Sequence, residues 1–131
     1  MADFEHARAM LRMAHKDLNA LTGMLDSAVF ADEIFGFHVQ QAVEKALKAW
    51  LCAYGVAYPP THDLARLLTL LEKTGADVEQ FWPLVQFTIF AVQARYEDGL
   101  ADLDEPLERV IEINNVRTLL ATTEQFVAEI S

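Results

Sequence analysis

His38, Gln41, Lys45 and Lys48 recur at intervals of three and four, which on a helix lays an imidazole, an amide and two ammonium groups along one side. Glu44 stands one turn before Lys48, in the order that favours an ion pair, and the adjacent Gln40 and Gln41 add donors and acceptors. Two readings of this side stay open: a solvated, salt-bridged helix face, or a polar groove that holds an anionic ligand or a partner. A second polar set follows Pro59 and Pro60, where His62 can bridge the turn by hydrogen bonds and Asp63 favours a helix start. Arg95 and Tyr96 end a very apolar stretch where it meets an acidic one, and an arginine placed there will find carboxylates. Arg8, Arg12 and Lys16 form the only cationic run, which either solubilises a helix or meets an acidic partner or a phosphate.

Other chemistries fail on spacing. His6 and His15 lie nine residues apart, on opposite sides of a helix, and no paired histidine or cysteine ligands exist, so no metal is expected. The five glycines are isolated and build neither a dinucleotide fingerprint nor a phosphate-cradling loop. Cys52 falls near the negative end of a helix, where the dipole disfavours a thiolate, and reads as a packing spacer. Ser27 and Ser131 stand in no nucleophile turn.

The 131 residues are the size of one domain, expected to span 1–131, and 53% of them are hydrophobic against 23% charged, a composition that folds. One cysteine and an N-terminus without the pattern of a secretory signal point to the cytoplasm, and no apolar run approaches a membrane span. The formal net charge of −10 repels phosphate backbones and anionic lipid, so neither nucleic acid nor membrane is an expected partner. Seven of the 16 residues from Glu97 to Glu112 are acidic, which leaves the rest of the surface closer to balanced.

Five helical segments must position these groups, and no strand competes with them. Phe4, Ala7, Leu11, Ala14, Leu18, Leu21 and Leu25 mark the first helix, with its alanines set for close packing in a bundle. The second runs from Asp32 to Tyr54, with Phe35, Val39, Ala42, Ala46 and Trp50 inward and Gly55 as a left-handed cap. Thr61 caps a third to Thr74, with Asp63 in its first turn, Leu64, Leu67, Leu68 and Leu71 buried, and Gly75 at its end. Asp77 to Gln80 repeats a capping pattern, and the stretch from Phe81 to Ala94, apolar nearly all round, predicts a fourth helix that buries more than one face, centrally or in a dimer. Glu97 to Glu105 reads as an exposed loop. Pro106 opens the fifth helix, which uses Leu107, Val110, Ile111, Leu119, Leu120, Thr123, Phe126, Val127 and Ile130.

The run from Gln40 to Ala49, QQAVEKALKA, the Thr61-His62-Asp63-Leu64 opening of the third helix and Arg95-Tyr96 after the fourth resemble HEPN domains, helical bundles whose name stands for higher-eukaryote and prokaryote nucleotide binding. The resemblance covers most of the chain and implies an all-α, up-and-down bundle of four to five helices, usually a homodimer. In the ribonuclease members, an arginine followed a few residues later by a histidine forms a metal-independent catalytic pair at a dimer cleft. Arg95 matches that arginine, but Tyr96 to Asp102 contain no histidine, and the acids there repel a phosphate. The pattern is similar to the branch encoded beside, or fused to, a minimal nucleotidyltransferase in pairs of toxin-antitoxin type. It implies a non-catalytic, dimeric module that binds a nucleotide or partner, without a cofactor, through Gln41, Lys45, Lys48, His62, Asp63, Arg95 and Tyr96. Two alternatives remain: a divergent ribonuclease in which Arg95 stabilises the phosphate and Tyr96 or a histidine from across the dimer moves the proton, and a free-standing nucleotide-binding homodimer.

Overall fold

A computed structural model of the chain describes residues 2–91 and 107–131, and every element in it is helical: α1 (Phe4–Thr22), α2 (Asp32–Ala53), α3 (Leu64–Lys73), a 3-10 helix η1 (Glu79–Ala91) and α4 (Arg109–Ile130). None of the described helices is long and apolar enough to cross a membrane. α2 packs against all four others, so the helix that carries most of the polar motif is also the centre of the bundle. The backbone N–H of Asp3 meets the carbonyl of Cys52, which sets α1 antiparallel to α2. Phe90 lies over Gly36 and Phe81 touches Trp50, so η1 is antiparallel to α2 as well. His15 pairs with Glu124, which runs α4 back against α1. The four longer elements thus alternate in direction, with the short α3 beside α2 and η1.

Local chemistry explains most boundaries. The Asp3 carboxylate accepts the His6 N–H at 3.0 Å and opens α1. Asp32 and Glu33 face the positive end of α2, and Gly55, at φ 74°, lets Val56 N–H close on Leu51 O at 3.0 Å. The third helix corrects the expectation at its start. Asp63, not Thr61, is the cap, accepting Ala65 N–H at 3.1 Å, while Thr61 Oγ accepts Asp63 N–H one step earlier, so the helix begins at Leu64 and ends at Lys73. Gly75, at φ 92°, completes its end.

The fourth segment differs in kind from the expected α-helix. It winds as a 3-10 helix, and Phe81, Leu84, Phe87 and Phe90, each three residues from the last and continuing the register of Val78 just before it, form its buried ridge, with Ala91 buried at its end. At three residues per turn such side chains eclipse one another, so an apolar face of period three favours this winding although it is long for its type. Trp82 and Val85 are only partly buried and Ile89 is exposed, so one face enters the core rather than several. The Phe90 ring also explains Gly36: a Cβ there would lie 2.6–2.7 Å from three of its carbons. Gly36→Ala should therefore lower stability by about 1–2 kcal/mol in urea unfolding, since overpacking outweighs alanine's helix preference.

The ends of the long helices also depart from the sequence pattern. α1 stops at Thr22 and leaves Leu25 half exposed, while Met24 takes the core position. α4 starts at Arg109, and Pro106 lies outside the described residues; Val110, Ile111 and Ile130 are exposed and Ile113 and Val116 fill the core instead. The cause is Arg109. Its buried guanidinium donates to Met24 O at 2.6 Å, to Phe30 O at 2.7 Å and to Asp32 Oδ1 at 2.7 Å, and lies 4.8 Å from the centre of the Phe35 ring. Turning this side chain inward rotates Val110 and Ile111 outward.

Trp50, fully buried, stacks on Phe126 at 5.1 Å and meets Phe81 edge-on at 6.5 Å, joining α2, α4 and η1. Among the described residues its indole N–H and Glu112 Oε2 are buried without a hydrogen-bond partner. Burial, reinforced by the nearby Glu108 charge, pushes the Glu112 carboxyl above the ordinary carboxylate range even though Asn115 donates to it.

Candidate functional site

The polar side of α2 forms two compact centres, each built around one carboxylate. In the first, Glu44, only 7% exposed, accepts three side-chain donors. Gln40 Nε2 reaches its Oε1 at 2.9 Å, His62 Nδ1 reaches the same oxygen at 2.7 Å, and Lys48 Nζ reaches Oε2 at 3.1 Å. Gln40 also donates to His62 O at 3.3 Å and receives Gln41 Nε2 at 2.7 Å, so the loop before α3 is tied to the middle of α2. Burial opposes a charge on Glu44, but the donors from Gln40, His62 and Lys48 outweigh it and hold the carboxyl below its ordinary range. An ionised carboxylate only accepts, so His62 must carry its proton on Nδ1, which makes Nε2 the open position of a half-exposed ring.

Lys48 lies 5.4 Å from the centre of the Tyr58 ring. The Tyr58 hydroxyl is 3.1 Å from His6 Nε2 and donates to Met10 Sδ at 3.4 Å, which carries the network across to α1. Burial raises the Tyr58 phenol above its usual value, with Cys52 and Glu44 adding to the effect, so it stays protonated. In the second centre Asp17 of α1 is the hub: Oδ1 pairs with His38 Nδ1 at 3.0 Å and Oδ2 with Lys45 Nζ at 2.7 Å.

The structure therefore brings Gln41, Lys48 and His62 into one centre and sets Lys45 in the other. Asp63 stands apart, exposed, as the cap of α3. Arg95 and Tyr96 lie outside the described residues. The lysines of this face are withdrawn from solvent, Lys45 and Lys48 being 19% and 11% exposed and each holding a carboxylate, while the His62 ring stays half exposed.

Spacing pointed to the Glu44–Lys48 pair but not to the Glu44–His62 contact, nor to Asp17, Tyr58 or Arg109. Asp17 left a trace in the sequence, as an acid three residues after Ala14 and four before Leu21, on the edge of the apolar stripe of α1. Nothing in the spacing of His62 or Tyr58 reveals their partners, which are many residues away. Among the described residues, no three histidine, cysteine or acidic side chains group as a metal site.

Chemically the two centres are charge-compensated. Each carboxylate neutralises one lysine, leaving oriented amides, a phenol and an outward imidazole nitrogen as the groups a ligand can meet. In comparisons with known proteins, the family model described as HEPN domain matches residues 7–131. No curated protein and no solved structure matches the chain.

Proposed function

Since the chain belongs to the HEPN domain family, we propose that it is a non-catalytic, dimeric module that binds a nucleotide or a partner and acts with a minimal nucleotidyltransferase in a pair of toxin-antitoxin type. The observation that carries this reading is the charge compensation on α2. Phosphodiester cleavage requires positive charge aimed at the phosphate beside a group that moves a proton. Both α2 lysines are instead bonded to buried carboxylates, and Tyr96 to Asp102, following Arg95, include no histidine. A preorganised set of hydrogen-bonding groups suits recognition better than turnover. On this reading Gln41, Lys48 and His62, with Lys45, Asp63, Arg95 and Tyr96, form the contact surface.

The test is co-expression with a minimal nucleotidyltransferase encoded beside this gene, followed by light scattering, and calorimetry of the purified protein with ATP and GTP. A dimer that forms a stable complex or binds nucleotide is the expected result. A monomer that does neither overturns it. The Glu44–His62 pair favours one rival, a divergent ribonuclease, because a carboxylate orients the imidazole as in acid-base catalysis. That rival requires RNA cleavage that His62→Ala abolishes, and intact RNA at high protein concentration ends it.

A further inference from the structure

We propose that the outer face of α1, carrying Arg8, Arg12 and Lys16, is a docking surface for an acidic helical segment of a partner protein. These three cations sit at successive turns, so they span about 12 Å along one exposed line. Among the described residues Lys45 is engaged by Asp17, Lys48 by Glu44 and Arg109 by Asp32, and of the cations without such a pair only these three follow one another at every turn of one helix, Arg66, Lys73 and Arg117 being scattered over α3 and α4. Among the described residues Arg8, Arg12 and Lys16 have no carboxylate within ion-pair distance. In a chain of net charge −10, with twice as many acids as bases, a row of three exposed cations that no described carboxylate meets is a local reversal of the overall charge.

The composition of this face fits a protein better than a nucleic acid. Met13, half exposed, and the partly buried Ala9 lie four residues apart in the row next to the cations, so apolar surface borders the charges. A long polyanion would meet the repulsion of the whole molecule, whereas a short acidic segment meets only the local field. At the N-terminal end the line opens into a concavity of about 630 Å³ lined by Asp3, Glu5, His6, Arg8 and Arg12. Asp3 is occupied there as the helix cap, and Glu5 adds an acid beyond Arg8, which gives the surface a polarity: carboxylates of the partner opposite Arg8, Arg12 and Lys16, a cation opposite Glu5.

The surface is also preorganised. α1 is held by the His6 bond to Tyr58, by the Asp17 pairs with His38 and Lys45 and by the His15 pair with Glu124, while Arg8 rests 5.8 Å from the centre of the Phe4 ring. Little of the helix has to order on binding, which favours affinity. The cations of this surface take no part in the α2 network, which touches the surface only through His6, so the proposal stands whether or not that network binds a nucleotide.

The experiment titrates the full chain with a synthetic helical peptide carrying glutamates at three successive turns, with a peptide of the same composition in scrambled order, and with a single-stranded RNA oligomer, following backbone amide shifts. The ordered peptide should bind at low salt, shift amides of α1, and bind at least about ten-fold more tightly than the scrambled one or the RNA. The exposed double variant R12E/K16E should weaken that binding about ten-fold or more with its circular dichroism unchanged, while Arg12→Lys keeps it. Equal binding of the two peptides, tighter binding of RNA, shifts outside α1, or an R12E/K16E protein that binds as well as the unaltered chain would each overturn the proposal.

Discussion

Replacing Glu44 with alanine should cost the protein about 3 kcal/mol of folding stability, as read from urea unfolding near neutral pH. The substitution removes the common acceptor of three donors. It leaves the Lys48 ammonium and the fully buried Gln40 amide without the partner that made their burial tolerable. His62, half exposed, turns to water and contributes less of the loss. The same residue sets an acid limit. Its carboxyl titrates lower in the folded protein than the ordinary value of 4.5, so the stability it confers is fully present above that value and is lost as pH falls through the depressed folded value. The gap between the unaltered protein and Glu44→Ala should therefore stay constant from neutral pH down to about 4.5 and narrow below it. A gap that widens on acidification would contradict the sign of this linkage.

Arg109→Ala should be of similar size, again about 3 kcal/mol, through a different part of the fold. Two main-chain carbonyls, of Met24 and Phe30, lose their charged donor, and the Phe35 ring loses the guanidinium packed against it. Asp32, about half exposed, can be solvated once freed, so Asp32→Ala should cost less than about 1 kcal/mol. Comparing the two variants separates the value of holding the loop from that of the ion pair. Hydrogen exchange should report the difference locally, with faster exchange at residues 24–31 in Arg109→Ala and little change there in Asp32→Ala.

The first two helices are legible because each has one buried side, and the second also carries signals at both ends, the acids Asp32 and Glu33 at its start and Gly55 after it. The fourth segment misleads because Trp82, Val85 and Ile89 fill the intervals of its ridge with further apolar residues. Its strict spacing of three, from Val78 to Phe90, was present in the chain but masked by them. Helix five is misread for the opposite reason. An arginine normally marks an outward position, yet Arg109 is buried because it satisfies carbonyls of a loop some 80 residues away.

The chain by itself determined the helical bundle, the family motif and the pairing of Glu44 with Lys48, because these depend on periodicity and on neighbours one turn apart. Only the tertiary structure decided that the two lysines of α2 are held by carboxylates rather than left in solvent. Asp17 comes from α1 and His62 from the loop before α3, and each takes up its position only when those elements pack on α2. A charged face written into one helix can be answered from any other, and which carboxylate arrives is settled by the packing of apolar stripes that carry no information about charge.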